Sequence, residues 1–277
     1  GNGASELFTW AAKDAGSNGL SSLPSPGFGD YQRALKCWDA EYIYTPLPLS
    51  WESNKFHLFP IEPKTNVLWI TNPHNPTGQL WSRSSIEHLL NKYKLIICDE
   101  AFISIVPGGE EQSIIDLTKS YKNLIVIRSL TKLFALAGLR LGYAISSQDR
   151  LLGWQEWRDP WPVNGIAIAA GKTIMSDYPT LSDWTNKIQN WIQHEGDWFR
   201  RKLEVIPGIT VHPSSANFFL IESNESLTEV KNSLLKRNIL VRDCSSFHQL
   251  DERWLRISLQ DRQKNKKIIN CLYELLS

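Results

Sequence analysis

The 277-residue chain is short of several things, and each shortage excludes something. It has four cysteines, Cys37, Cys98, Cys244 and Cys271. They are widely spaced and form no CxxC pair or Cys/His cluster. That pattern excludes a disulfide scaffold or a zinc ribbon and predicts reduced thiols in a cytoplasmic protein with no metal site. Charge of one sign is also lacking: 30 basic residues against 29 acidic ones leave a net charge of +1. Without a field of one sign, neither nucleic acid nor a membrane surface is an expected partner. No apolar run is long enough to span a bilayer, and no charged-then-apolar opening resembles a signal peptide. Internal repeats and low-complexity segments are missing too. Met175 is the only methionine, so the chain does not open on an initiator residue, and a segment upstream of Gly1 is expected.

What remains has the composition of an ordinary globular protein, 42% hydrophobic and 21% charged. Its length allows one large or two medium domains. Twelve tryptophans are many for this length and read as packing residues. Four short apolar runs, 66–71, 95–99, 124–128 and 141–145, read as strands. A helix over 84–93 places Ile86, Leu89, Leu90 and Tyr93 on one face. Strands buried on both faces and alternating with helices predict a mostly parallel α/β sheet. The texture changes near residues 159–165. Helices over 164–175 and 181–205, strands near 218–221, 239–242 and 255–258, and helices near 227–237 and 265–276 follow. The expected organisation is a large domain over 1–162 and a smaller α+β domain over 163–277.

In parallel sheets, ligands gather at the carboxyl ends of the strands. Three segments directly follow predicted strands there. Ser129-Leu130-Thr131-Lys132 sets a lysine among hydroxyls, with Arg140 eight residues on. A lysine that condenses with a carbonyl cofactor needs partial desolvation, and a cofactor phosphate needs hydroxyls and a cation nearby. Asn72-Pro73-His74-Asn75-Pro76-Thr77-Gly78 is a rigid turn carrying two amides. Asp99 ends an apolar strand, where a carboxylate either caps the next turn or holds a pyridine nitrogen in its protonated form. Farther upstream, Gly1-Asn2-Gly3-Ala4-Ser5 leads into an amphipathic helix, a setting that offers backbone N–H groups to an anion.

Taken in order, these segments resemble the fold-type I pyridoxal phosphate (PLP) enzymes of the class I/II aminotransferase family. The resemblance runs through essentially the whole chain. It implies the aspartate aminotransferase-like three-layer fold and PLP as cofactor. It also implies a homodimer acting on a small amino acid substrate. Lys132 would be the lysine that bonds the cofactor and later moves protons. Asp99 would pair with the ring nitrogen and Asn75 with the ring hydroxyl. Gly3, Ala4, Ser5, Ser129, Thr131 and Arg140 would hold the phosphate. Phe28, in Pro26-Gly27-Phe28-Gly29-Asp30-Tyr31, would stack on the ring, and Arg256 would grip the substrate carboxylate.

Within the family, the opening segment and Trp161-Pro162-Val163-Asn164 resemble the branch of histidinol-phosphate aminotransferases and L-threonine-O-3-phosphate decarboxylases, the latter of cobalamin synthesis. Asn164 would then lie near the cofactor. The 239–247 segment, with Arg242, looks more like the decarboxylases. So does Phe102, where many aminotransferases place a tyrosine that bonds the ring oxygen. Decarboxylation is therefore the leading expectation and transamination the second. The family has a substrate-covering segment before the Gly-Asn-Gly turn, with no counterpart here. A chain that truly lacked it would bind PLP without turnover, which is a third expectation.

Overall fold

The computed structural model describes residues 1–51 and 56–277. Six strands form its larger sheet: β1 (Ser21–Ser25), β2 (Tyr42–Pro46), β3 (Val67–Thr71), β4 (Leu95–Asp99), β5 (Leu124–Ser129) and β6 (Gly142–Ile145). Their spatial order is β2-β1-β3-β4-β5-β6, parallel except for β6, which runs antiparallel to β5. Side chains alternate between the two faces. Val67, Trp69, Leu95, Ile97, Ile125 and Ile127 pack on one side against α1 (Ala4–Asn18), α2 (Gly29–Lys36) and Trp154 of α4 (Gln148–Trp157). Leu68, Ile70, Ile96, Cys98, Leu124 and Val126 face the other side, with Ile86 and Leu89 of α3 (Arg83–Leu89). Two covered faces explain why β3, β4 and β5 are apolar throughout. Full burial of each such aliphatic side chain contributes roughly 1.5–3 kcal/mol.

A second sheet is antiparallel, in the order β7 (Ile209–Val211), β8 (Phe218–Ser223), β10 (Trp254–Ser258), β9 (Arg242–Asp243). Its apolar face meets α6 (Tyr178–Leu203), α7 (Thr228–Lys236) and α8 (Arg262–Leu276) through Phe199, Phe219, Leu234, Leu255, Ile257 and Leu272. Ile105 and Leu133, from the first half of the chain, join the same cluster. In chain order α5 (Gly165–Ser176) comes between the two sheets, capped by Asn164, whose Oδ1 accepts from Ala167 N at 2.8 Å. The result is the expected α/β fold: a mostly parallel sheet between helical layers, with a smaller antiparallel sheet beside it.

Three local expectations differ. β1 and β2 were not among the expected strands: β1 reads Ser-Ser-Leu-Pro-Ser and carries no apolar signature, whereas β2 reads Tyr-Ile-Tyr-Thr-Pro and was overlooked. The strand expected over 239–242 pairs only at Arg242 and Asp243, opposite Arg256 and Leu255. Ile239 and Val241 are buried but pair with no strand among the described residues. The helix expected to reach Tyr93 stops at Leu89. Leu90 and Tyr93 continue its apolar pattern because they pack into the same cluster from a turn.

Candidate active site

Parallel register brings the carboxyl ends of β3, β4 and β5 side by side, with Thr71 opposite Asp99 and Asp99 opposite Ile127. Beyond them opens a cavity of about 310 Å³. Ala4, Ser5, Phe28, Asn75, Asp99, Phe102, Ser129, Thr131, Lys132, Arg140, Arg242 and Arg256 all line it. Residues drawn from both sheets and from the start of α1 thus share one space.

Asp99 is buried. Its Oδ1 accepts from Ala101 N at 2.9 Å and its Oδ2 from the Tyr31 hydroxyl at 2.5 Å. Burial raises its pKa to about 6, while the Tyr31 and Ala101 hydrogen bonds and the Lys132 charge act the other way. Lys132 is open to the cavity, and protein on the remaining sides desolvates its amine. Desolvation lowers its pKa, the positive charge of Arg256 lowers it further, and Asp99 opposes both. A lower pKa leaves more of the amine neutral and nucleophilic at ordinary pH. The Lys132 Nζ lies 4.8 Å from the centre of the Phe102 ring.

An anion cradle occupies the neighbouring wall. Gly3 is the N-cap of α1 and supplies no capping side chain, so the first N–H groups of the helix stay available. Gly3 has a φ of 78°, and a Cβ there would lie 2.9 Å from the Arg140 guanidinium carbon. Glycine therefore lets the arginine lie against the helix start. Arg140 itself is left-handed, with φ 57° and ψ 61°, a conformation that costs a residue with a side chain about 1–2 kcal/mol. The Ser129 and Thr131 hydroxyls are 2.8 Å apart beside it. Two hydroxyls, a guanidinium and a helix N-terminus are donors that suit a phosphate.

The opposite wall carries the other two arginines. Arg256 and Arg242 face each other directly in the β10–β9 register, and like charges so placed repel. Burial lowers the Arg256 pKa, the Cys244 thiol opposes this, and Arg242 adds to the lowering. Arg256 donates to Asn75 Oδ1 and lies 4.8 Å from the Phe218 ring, while its Nε is buried without a hydrogen-bond partner. Arg242 donates to Ser246 Oγ at 2.9 Å. Asn75 is presented by a turn in which Asn72 bonds both the N–H and the carbonyl of Trp81. In the same turn the buried His74 bonds Thr77.

The set fits PLP: a carboxylate for the ring nitrogen, a lysine for the aldehyde, the cradle for the phosphate and Phe28 for the ring face. Asn164 stands apart. Its side chain caps α5 and lies outside the cavity lining. Sequence reasoning missed Thr71, Phe8, Ala101 and Phe247, which also line the cavity. It also missed Tyr31, which bonds Asp99. Tyr31 closes the Pro26–Tyr31 segment and Thr71 ends an apolar strand, and a polar atom at such a place was the available signal. Among the described residues, no group of three or more His, Cys, Asp or Glu side chains is set to hold a metal ion. None of the described helices is long and apolar enough to cross a membrane.

The chain is similar to known proteins over nearly its whole length. Threonine-phosphate decarboxylase of Salmonella typhimurium is 31% identical over 289 residues, covering 100% of this chain and 76% of that protein. The solved histidinol-phosphate aminotransferase of Clostridium acetobutylicum superposes with a TM-score of 0.87 at 27% identity, over 99% of this chain and 82% of the other. The L-threonine-O-3-phosphate decarboxylase of Porphyromonas gingivalis gives 0.84 at 29%, over 99% and 82%. The family described as aminotransferase class I and II matches residues 2–272; the chain belongs to that family of PLP enzymes.

Proposed function

We propose that the chain binds PLP at Lys132 and removes CO2 from an O-phosphorylated amino acid, with O-phospho-L-threonine as the reference substrate. The observation that carries this reading is the Arg242–Arg256 pair. Two guanidiniums held opposite one another in one cavity need anions to offset their repulsion. A phosphorylated amino acid brings two, a phosphate and a carboxylate. Bidentate guanidinium contacts would fix both ends of it.

PLP supplies an electron sink for the charge that develops at the substrate Cα. Arg242 and Arg256 would orient the substrate by its anionic groups, and that orientation would decide which bond of the substrate breaks. Asp99, as an anion, would hold the proton on the ring nitrogen. Lys132, in the same cavity lining, would be the amine that returns a proton to the substrate. Phe102 brings no hydroxyl to the ring oxygen, so no hydrogen bond from that position competes for it.

The likeness to histidinol-phosphate aminotransferases supports a second reading, transamination. Incubation with PLP and O-phospho-L-threonine, without a keto acid, separates the two. CO2 release with the PLP absorbance retained supports the lyase. Conversion to a pyridoxamine-type spectrum without CO2 supports the aminotransferase. A spectrum that responds to neither kind of substrate supports a binding-only protein. The reading includes a homodimer in the cytosol. Trp161 and Ile166 expose large apolar surfaces, 90% and 77%, of the kind subunit contacts cover. A monomeric mass in sedimentation would refute the dimer.

A further inference from the structure

Tyr31 contributes no surface to the cavity lining, yet its hydroxyl reaches the most consequential carboxylate in it. The phenol is buried on α2, with its ring centre 5.0 Å from that of Phe8, 5.6 Å from Phe28 and 5.2 Å from Trp69. Those rings aim the hydroxyl at two oxygens, Asp99 Oδ2 at 2.5 Å and Thr71 Oγ1 at 2.8 Å. A phenol has one proton to give, and an ionised carboxylate can only accept. Tyr31 therefore donates to Asp99, and Thr71 donates to the Tyr31 oxygen. Two hydroxyls in series point at Oδ2, while Ala101 N–H satisfies Oδ1.

We propose that Tyr31 is a positioning residue, whose hydroxyl, ordered by Thr71, holds the Asp99 carboxylate in the orientation and charge state that a protonated pyridine nitrogen requires. The inference rests on the PLP reading of the site. Its logic is one of opposing effects. Burial favours the neutral acid and has already moved Asp99 to about 6. Glu100, next in sequence, pushes the same way, and Lys132 across the cavity opposes it. Beside Tyr31 lie the Cys98 thiol and Thr71. Of the donors on Asp99, Tyr31 acts most strongly for the anion. The same ring packs edge-on against Phe28, so one residue ties the ring-stacking wall to the ring-nitrogen partner.

Tyr31→Phe keeps the ring and removes the hydroxyl. In cofactor-free protein labelled with 13C at the aspartate carboxyls, the Asp99 signal is identified by its loss in Asp99→Asn. Its titration midpoint should rise by about one pH unit in Tyr31→Phe. Thr71→Val should raise it less, in the same direction, and decides the matter if Tyr31→Phe does not fold. PLP affinity, followed by absorbance, should fall about twofold at pH 7 and close to tenfold at pH 5, and recover as the pH rises past the new midpoint. A purely structural role would lower affinity equally at every pH. An Asp99 midpoint unchanged in both variants, or a loss of affinity independent of pH, would overturn the proposal. Should wild-type protein bind no PLP, the cofactor reading fails, while the Asp99 titration still decides the role of Tyr31.

Discussion

Lys132 and Asp99 owe their properties to the same cause, withdrawal from water, with opposite results. Desolvation lowers the lysine pKa and raises the carboxyl pKa. Lys132→Ala removes the only lysine that lines the cavity among the described residues, so the visible absorbance of bound PLP should vanish. A retained band would break the central assignment. Asp99 brings a testable cost in stability. Its folded pKa is raised, so its contribution is fully present below about 3.8 and is lost as pH rises through about 6. At pH 7 the folded chain without cofactor carries that loss in full. Asp99→Asn, which retains an oxygen acceptor for Tyr31, should stabilise the cofactor-free protein at pH 7 by roughly 1–3 kcal/mol. With the cofactor added, turnover should fall by orders of magnitude. Equal melting temperatures for the two proteins at pH 7 would contradict the burial argument.

Among the elements, α1 is notable for what its N-terminus omits, a capping side chain. Gly3 occupies the cap with positive φ and lets Arg140 lie against it. Gly3→Ala should strain the backbone and displace that guanidinium, weakening PLP binding by about tenfold or more with little loss of secondary structure. Unchanged affinity would remove Gly3 from the cradle. The strands β3, β4 and β5 were legible in the sequence because both their faces are buried, and the loops that line the cavity were legible because they follow those strands. β1 was not legible. Two of its three buried serines have specific partners, Ser22 with Thr45 Oγ1 at 2.7 Å and Ser25 with His248 Nδ1 at 2.8 Å. Pro24 is tolerated because the pairing with β3 covers only Ser21 and Ser22. Such a strand is defined by its neighbours rather than by its own composition. The same holds for Tyr31, whose role depends on Asp99, 68 positions away. The support beneath the site is similarly nonlocal. Arg128, one residue before Ser129, bonds Glu100 at 2.8 Å, Glu110 at 2.8 and 3.0 Å and Ser113 at 2.7 Å. Arg128→Met would leave Glu100 buried with its charge unpaired, and the chain should lose about 3–5 kcal/mol in denaturant unfolding.

At the scale of the molecule, the cavity exists because two sheets meet, and the contacts between them are few and specific. Asn75, from the turn after β3, holds Arg256 of β10. His248 stacks on Tyr44 of β2 at 4.1 Å, and His212 lies between Trp51 and Trp254 at 5.0 and 5.1 Å. Beneath the first of these contacts sits His74, fully buried and bonded to Thr77. Burial lowers its pKa to about 3. In the unfolded chain a histidine takes a proton near 6.5, so between about 6.5 and 3 the unfolded state binds a proton that folded His74 refuses. Stability from this group is therefore present above 6.5 and is lost as pH falls towards 3, by up to about 5 kcal/mol. Asp99 runs the other way across the overlapping range from 6 to 3.8 and masks part of that loss. Unfolding free energies of the cofactor-free protein, measured from pH 7 to 4, should then separate the two groups. His74→Gln should flatten the decline towards acid, and Asp99→Asn should steepen it. If His74→Gln left the slope unchanged, the turn that presents Asn75 would not rest on a neutral buried imidazole.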